Sequence, residues 1–187
     1  MQKIPPTAKC VFEGEIFSVY QWEQKMYDGS TEIFECLRRP DTVGVVAVVG
    51  ERIIVQEQEQ PDSARSFLSL PGGRCDENEE ILDAAKRELL EETGYTSQDW
   101  HLWRVDSPSS KIVWSVSLFI ARDCQKTKDP HLDAGEKITN TLISFDDFLM
   151  LPDNERFRDK EFVGPLLRMR LYKEEREKFY ALLFPKV

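Results

Sequence analysis

Between Gly73 and Tyr95 the chain reads GRCDENEEILDAAKRELLEETGY, and its acids are spaced as a helix would group them. Glu88, Glu91 and Glu92 stand at i, i+3 and i+4, so at about 100° per residue they share one stripe and repel one another. They also fall in the last turn before Gly94, a natural C′ residue, where the helix dipole favours cations over anions. Each like-charge pair costs roughly 0.2–0.5 kcal/mol. Several such conflicts in one turn read as a site, because local rules fail together where function demands it. A merely solvated acidic face would leave Gly72-Gly73, which lets backbone approach the helix, and the prompt Gly94 terminator without a reason. Arg87 stands beside Glu88, four residues before Glu91 and two turns after Glu79, placed to orient the acids and offset part of their repulsion.

The helix that must carry these groups is expected over residues 77–93. Asp76 with Glu79 three residues on suits a capping box, and Asn78 is a competing cap. Leu82, Ala85 and Leu89 are expected to pack on a sheet, with Ala84 leaving open space beside the carboxylates.

Strands precede it. EIFSVYQWEQKM and STEIFECLRR flank Tyr27-Asp28-Gly29, a strong hairpin signal, so residues 15–39 read as a long β-hairpin. TVGVVAVVG, apolar throughout and therefore buried, joins RIIVQEQEQ through Gly50-Glu51, and a short FLSL strand runs into Pro71-Gly72-Gly73. After the acidic helix, strands are expected at WHLWRV, VWSVSLFIA and KITNTLISF, a helix in FDDFLML, and one or two more between Asp159 and Leu183, interrupted near Gly164-Pro165. The apolar positions of this last segment suit packing on the core or on a partner. Strands on both sides of a helix indicate a mixed α/β or α+β domain.

With 187 residues, 41% hydrophobic and 11% aromatic, the chain can bury one good core. A net charge of −9 argues against a general nucleic-acid binder, while leaving room for an anionic ligand whose contact is mediated by cations. Cys10, Cys36, Cys75 and Cys124 have no CxxC or Cys/His spacing, and His101 and His131 are the sole histidines, so a zinc site is not expected. No run approaches the ~18 apolar residues of a membrane span. MQKIPPTAKC lacks the apolar core of a signal peptide, which points to the cytoplasm and reduced thiols.

The spacing of the acidic helix resembles the Nudix hydrolase signature, GX5EX7REUXEEXGU with U a bulky aliphatic residue. Gly73, Glu79, Arg87, Glu88, Leu89, Glu91, Glu92 and Gly94 fall in register, and Tyr95 is a mild departure at the last position. The resemblance implies an α/β/α sandwich around a mixed sheet, and hydrolysis of a nucleoside diphosphate linked to another group. It implies that Glu88, Glu91 and Glu92 bind Mg²⁺ or Mn²⁺, that Gly73 offers a backbone carbonyl, and that Glu79 and Arg87 form a supporting ion pair. Such ions suit the task, since a pyrophosphate resists nucleophilic attack until its charge is screened by hard cations on oxygen ligands.

The long hairpin is similar to the N-terminal subdomain of ADP-ribose pyrophosphatases, which is exchanged or packed between the subunits of a homodimer. The division expected is therefore 1–41 as the dimerisation element and 42–187 as the hydrolase domain with its C-terminal helices. Phe17, Tyr20, Trp22 and Phe34 would give the hairpin an apolar surface for a second subunit. Pro108, fourteen residues after Gly94, also resembles that subfamily, and DAGEKI resembles its loop supplying an acid near the attacking water. That makes Glu136 the candidate base, with Glu92 the alternative. The same resemblance implies that Phe34 stacks on the base and Arg39 contacts phosphates; as plain residues they read equally as a sheet-core aromatic and a solvated strand end. Two positions depart from the pattern: Gln58-Glu59-Gln60 lacks an expected arginine, and Ser109 stands where glycine is usual. The substrate implied is ADP-ribose or a nucleotide sugar. The alternatives are a nucleoside triphosphate or dinucleoside polyphosphate hydrolase, or a non-catalytic nucleotide sensor, which would be expected to lose box acids that this chain retains.

Overall fold

In the computed structural model, which describes residues 4–185, the chain opens on a sheet of its own. β1 (Lys9–Glu13), β2 (Ser18–Lys25) and β3 (Thr31–Arg38) are antiparallel, and the turn at Tyr27-Asp28-Gly29 is closed by Ser30, whose N–H and hydroxyl both donate to Asp28 Oδ1. The hairpin is thus present, and β1 enlarges it. Trp22 is buried within this sheet against Phe34, so it contributes no free apolar surface; Val11, Phe12, Ile16, Phe17, Tyr27 and Ile33 are the exposed hydrophobics here.

Next come β4 (Thr42–Val49), β5 (Arg52–Glu59), β6 (Phe67–Ser69) and β7 (Gly72–Arg74), the last a short strand that the sequence reading did not single out. α1 (Ile81–Thr93) follows, then β8 (Tyr95–Thr96), β9 (Asp99–Asp106), β10 (Ile112–Val113), β11 (Val116–Arg122), β12 (Gln125–Lys126) and β13 (Lys137–Ile143). β10 pairs parallel with β3, tying the first sheet to the rest of the chain. The chain closes with α2 (Phe145–Met150), a 3-10 turn at Leu151–Asp153, α3 (Lys160–Leu171) and α4 (Lys173–Leu183).

The central sheet is mixed, in the order β13-β5-β4-β11-β9, with β6 on β5 and β7 on β4. β4 is parallel to β11 and antiparallel to β5 and β7. Its apolar run is explained by alternation, since successive side chains point to opposite faces. Val46 and Val48 meet α2, α3 and α4 through Phe148, Phe162 and Phe179, whereas Val43, Val45 and Ala47 meet α1 through Ala84, Ala85 and Leu89. Helices on both faces make an α/β/α sandwich, as the sequence implied.

Three local expectations are corrected. α1 starts at Ile81 rather than 77, because Asn78 takes a left-handed conformation (φ 63°) and Glu80 is extended; Asp76 and Glu79 still bond each other, within the loop ahead of the helix. The buried face of α1 is Ala84, Ala85, Leu89 and Glu92, with Leu82 turned outward, so Ala84 lets the helix lie close on the sheet instead of opening space beside the acids. Gly164-Pro165 does not interrupt the C-terminal segment: α3 runs through Pro165, held by buried Phe162, Leu166 and Met169, and the break falls at extended Tyr172. The segment therefore packs on the core. Residues 1–3 and 186–187 of the two expected units lie outside the described residues.

Candidate active site

α1 delivers its carboxylates at graded depths. Glu92 is buried at 3% exposure, the Glu88 side chain is at 13%, and Glu91 is at 42%. Three strands close on Glu92. The Gly72 N–H of β7 donates to Glu92 Oε2 at 2.9 Å, the Gln56 side-chain amide of β5 donates to the same oxygen at 3.2 Å, and the Asn140 amide of β13 donates to the Glu92 main-chain carbonyl at 2.9 Å. Burial holds the Glu92 carboxyl well above the usual carboxylate range, opposed by the Gly72 and Gln56 bonds and reinforced by the charges of Glu88 and Glu136.

Arg87 organises the outer acids. Its Nε and Nη2 donate to the two oxygens of Glu79, and Nη2 also reaches the Arg74 carbonyl at 3.0 Å. Nη1 donates to Glu88 Oε1 at 2.9 Å and to Glu91 Oε2 at 3.2 Å. The pair expected between Glu79 and Arg87 is therefore formed, and the hydrogen bonds from Arg87 hold the Glu79 carboxyl below its ordinary value. Glu88 behaves oppositely. Burial pushes it up to about 7 against the pull of Arg87, and the charges of Glu91 and Glu136 add to the rise.

Gly94 ends α1 in the left-handed conformation (φ 76°), and the following segment is fastened to that end. The Thr127 N–H donates to the Gly94 carbonyl and the His131 N–H to the Glu91 carbonyl at 2.7 Å. The chain then turns at Asp133–Glu136, where the Glu136 N–H bonds the Asp133 carbonyl. Glu136 is half-buried, and desolvation raises its carboxyl, helped by the charges of Asp133 and Glu91. The charge of Glu136 in turn adds to the rise of the Glu88 and Glu92 carboxyls, so the loop acid lies within electrostatic reach of the box.

The carboxylates of Glu88, Glu91 and Glu92 on one stripe of α1 are the donor type that suits a hard divalent cation, with Glu88 and Glu91 sharing Arg87 Nη1 while Glu79 holds its Nε and Nη2. Gly73 fits the same purpose, since a Cβ there would lie 2.4 Å from Glu88 Oε1; only glycine lets the backbone approach the carboxylate so closely. Among the described residues no three acidic, histidine or cysteine side chains are yet gathered in coordination geometry. Arg87 Nη1 spans Glu88 and Glu91, so a cation there competes with one N–H edge for two carboxylates.

The two expected substrate residues fall apart. Arg39 lines a cleft of about 780 Å³ between the first sheet and the β7–α1 loop, shared with Tyr20, Arg38, Cys75, Glu77 and Glu79. It is no solvated strand end: its guanidinium lies 4.7 Å from the Trp114 ring centre and 5.8 Å from that of Phe17, and its Nε is buried without a partner among the described residues. Phe34 does not line that cleft; it packs on Trp22 with the Lys111 ammonium over its ring. Sequence reasoning missed Gln56, Ser69, Asn140 and Asp159, and it singled out Gln58 without a role at the site. The signal was available for the glutamines, which alternate along RIIVQEQEQ at the strand period and so share one face.

Comparison with known proteins bears on the family and the fold. A NUDIX domain profile matches residues 38–164. The chain is 33% identical to the ADP-ribose pyrophosphatase of Bacillus subtilis (strain 168) over 154 residues, 80% of this chain and 82% of that protein. It is 26% identical to the methanol dehydrogenase activator of Bacillus methanolicus over 159 residues, 82% and 84% of the two chains. The solved structure of an ADP compounds hydrolase superposes with a TM-score of 0.74 at 19% identity, covering 91% of this chain and 94% of the other, a likeness of fold.

Proposed function

The chain belongs to the Nudix hydrolase family, and from that premise we propose that it cleaves the pyrophosphate bond of ADP-ribose or a related nucleotide sugar with Mg²⁺ or Mn²⁺. The observation that carries the proposal is the stripe of Glu88, Glu91 and Glu92 on α1, with Glu88 and Glu91 bridged by an arginine that Glu79 holds and the Gly73 backbone set against Glu88. Glu88, Glu91 and Glu92, with the Gly73 carbonyl, would hold the ion. Bound there, it supplies the positive charge that screens the pyrophosphate and polarises its phosphoryl oxygens.

Glu136 takes the proton of the attacking water as the new P–O bond forms and the bridging P–O bond breaks, leaving AMP and ribose 5-phosphate from ADP-ribose. Its raised carboxyl supports this role, and its loop site frees it to face substrate. Glu92 is the poorer base, since Gly72 and Gln56 both hold its Oε2. Arg87 and Glu79 keep the stripe of acids in register. Arg39, which lines the cleft, is assigned to the substrate phosphates; Phe34, which lies outside it against Trp22 and Lys111, keeps only the base-stacking role that the resemblance implies.

The exposed Val11, Phe12, Ile16, Phe17 and Ile33 of the first sheet support a homodimer formed through residues 1–41. Light scattering at micromolar concentration should give twice the 21.8 kDa of the chain; a monomer mass removes the shared assembly. Four free thiols, three of them buried, accord with a reducing cytoplasm, and no helix among the described residues is long and apolar enough to cross a membrane. Substrate identity is tested by metal-dependent hydrolysis of ADP-ribose, GDP-mannose, UDP-glucose, dinucleoside polyphosphates and nucleoside triphosphates. ADP-ribose should have the highest kcat/KM, and a preference for triphosphates would reassign the substrate.

A further inference from the structure

β5 changes character halfway along. Ile53, Ile54 and Val55 are buried and apolar, and then Gln56 and Gln58, equally buried, put two amides into the interior, with Gln60 following at its edge. Spaced by two, the three glutamines share one face of the strand. They form a directed chain: Gln60 Nε2 donates to Gln58 Oε1 at 3.4 Å, Gln58 Nε2 to Gln56 Oε1 at 2.8 Å, and Gln56 Nε2 to Glu92 Oε2. Ser69, opposite Gln56 on β6, braces the middle by accepting from Gln58 Nε2 at 2.8 Å.

The direction of the chain is fixed by its ends. Turning the Gln56 amide over would set its oxygen against the Glu92 carboxylate and its nitrogen against Gln58 Nε2, two repulsive contacts in place of two bonds. The brace thus commits Gln56 to donating. Gly72 donates to the same Glu92 oxygen, so both donors to this carboxylate among the described residues fall on Oε2, leaving Oε1 for a ligand. Asn140, opposite Gln56 on β13, holds the Glu92 carbonyl, so neighbouring strands fix main chain and side chain together. Buried polar groups cost stability unless they are paired, and the glutamine pairing here ends on an acid of the box, while Asn140 Oδ1 is buried without a partner among the described residues.

We propose that Gln56, braced by Gln58 and Ser69, is a positioning residue that turns Glu92 Oε1 toward the divalent cation, a role that rests on Glu92 being a metal ligand. The polar run in β5, which departs from the family pattern at Gln58 to Gln60, is the outer support of the metal site.

The test compares the full-length wild type with Gln56→Met and Gln58→Met, which keep volume and remove the amides. Mn²⁺ binding is read from the free-ion EPR signal, alongside melting temperature and steady-state kinetics on ADP-ribose. Gln56→Met should weaken Mn²⁺ binding about 10- to 100-fold, the usual cost of losing an outer-shell partner. Its kcat should fall while KM for ADP-ribose stays within about twofold, the pattern of a lost transition-state contribution. Gln58→Met, which leaves the Gln56 bond and removes its brace, should act in the same direction and less, and it carries the test if Gln56→Met does not fold. Lower melting temperatures with Mn²⁺ affinity unchanged in the folded variants would overturn the proposal, reducing the ladder to core packing. Failure of the metal reading looks different: wild type that binds no Mn²⁺, or Glu92→Gln that binds it as tightly as wild type, overturns both.

Discussion

The Arg87 guanidinium grips Glu79 through two parallel hydrogen bonds, Nε to Oε1 and Nη2 to Oε2, each 2.9 Å long. This bidentate geometry is one that arginine supplies and lysine does not. It leaves Nη1 as the edge that bridges Glu88 and Glu91. The acids of α1 are thus held by a cation that cannot neutralise them all, an arrangement ready to accept a second positive charge.

Glu91 offers the cleanest test of that charge. Its side chain is 42% exposed and receives one bond from Arg87 at 3.2 Å, so Glu91→Gln should fold with stability within about 0.5 kcal/mol of wild type. Turnover should drop more than about 100-fold, beyond the usual effect of losing an outer partner. Substantial activity at saturating Mg²⁺ in this variant would remove Glu91 from the metal site.

Glu136→Gln separates the base from the ligands. Its kcat should fall by on the order of 10²–10⁴ with little change in KM, because the missing function is proton removal in the transition state. Mn²⁺ affinity should hardly move. A near-normal kcat returns the base role to a box glutamate, foremost Glu92.

Much of this was legible in the sequence, for physical reasons that differ by residue. The spacing of Glu88, Glu91 and Glu92 fixes their stripe on any helix, and the burial of β4 follows from its apolar run. The start of α1 was not legible, because the left-handed turn at Asn78 competes with a capping pattern that is itself present. β10 was missed because its two residues are paired by β3, distant along the chain, and β1 because its few residues are exposed throughout and show no alternation of their own. Gln58 and Gln60 were noticed only for the arginine they lack, since the ladder they belong to is anchored by residues farther along the chain, Ser69 for Gln58 and Glu92 for Gln56.

Asp159 gives a pH dependence with a definite sign. Its Oδ2 accepts the Leu70 N–H at 2.6 Å, just ahead of the glycines that face α1, and burial pushes the carboxyl up to about 7 despite that bond. A folded value above the ordinary 3.8 means that its contribution to stability is fully present below the unfolded value and is lost as pH rises through about 7. Asp159→Asn keeps an acceptor for Leu70 and removes the titration. Between about pH 5 and pH 8.5 the stability of wild type relative to this variant, measured by urea unfolding, should fall by roughly 2–3 kcal/mol. A difference that stays flat, or rises, would mean that Asp159 is ionised throughout.

ADP-ribose turnover with and without divalent metal tests the central claim most directly. Purified protein should convert ADP-ribose to AMP and ribose 5-phosphate in Mg²⁺ or Mn²⁺, lose that activity when the ion is chelated, and regain it when the ion is restored in excess. ADP-ribose left intact at saturating metal, or cleaved at the same rate in the presence of chelator, would contradict the account.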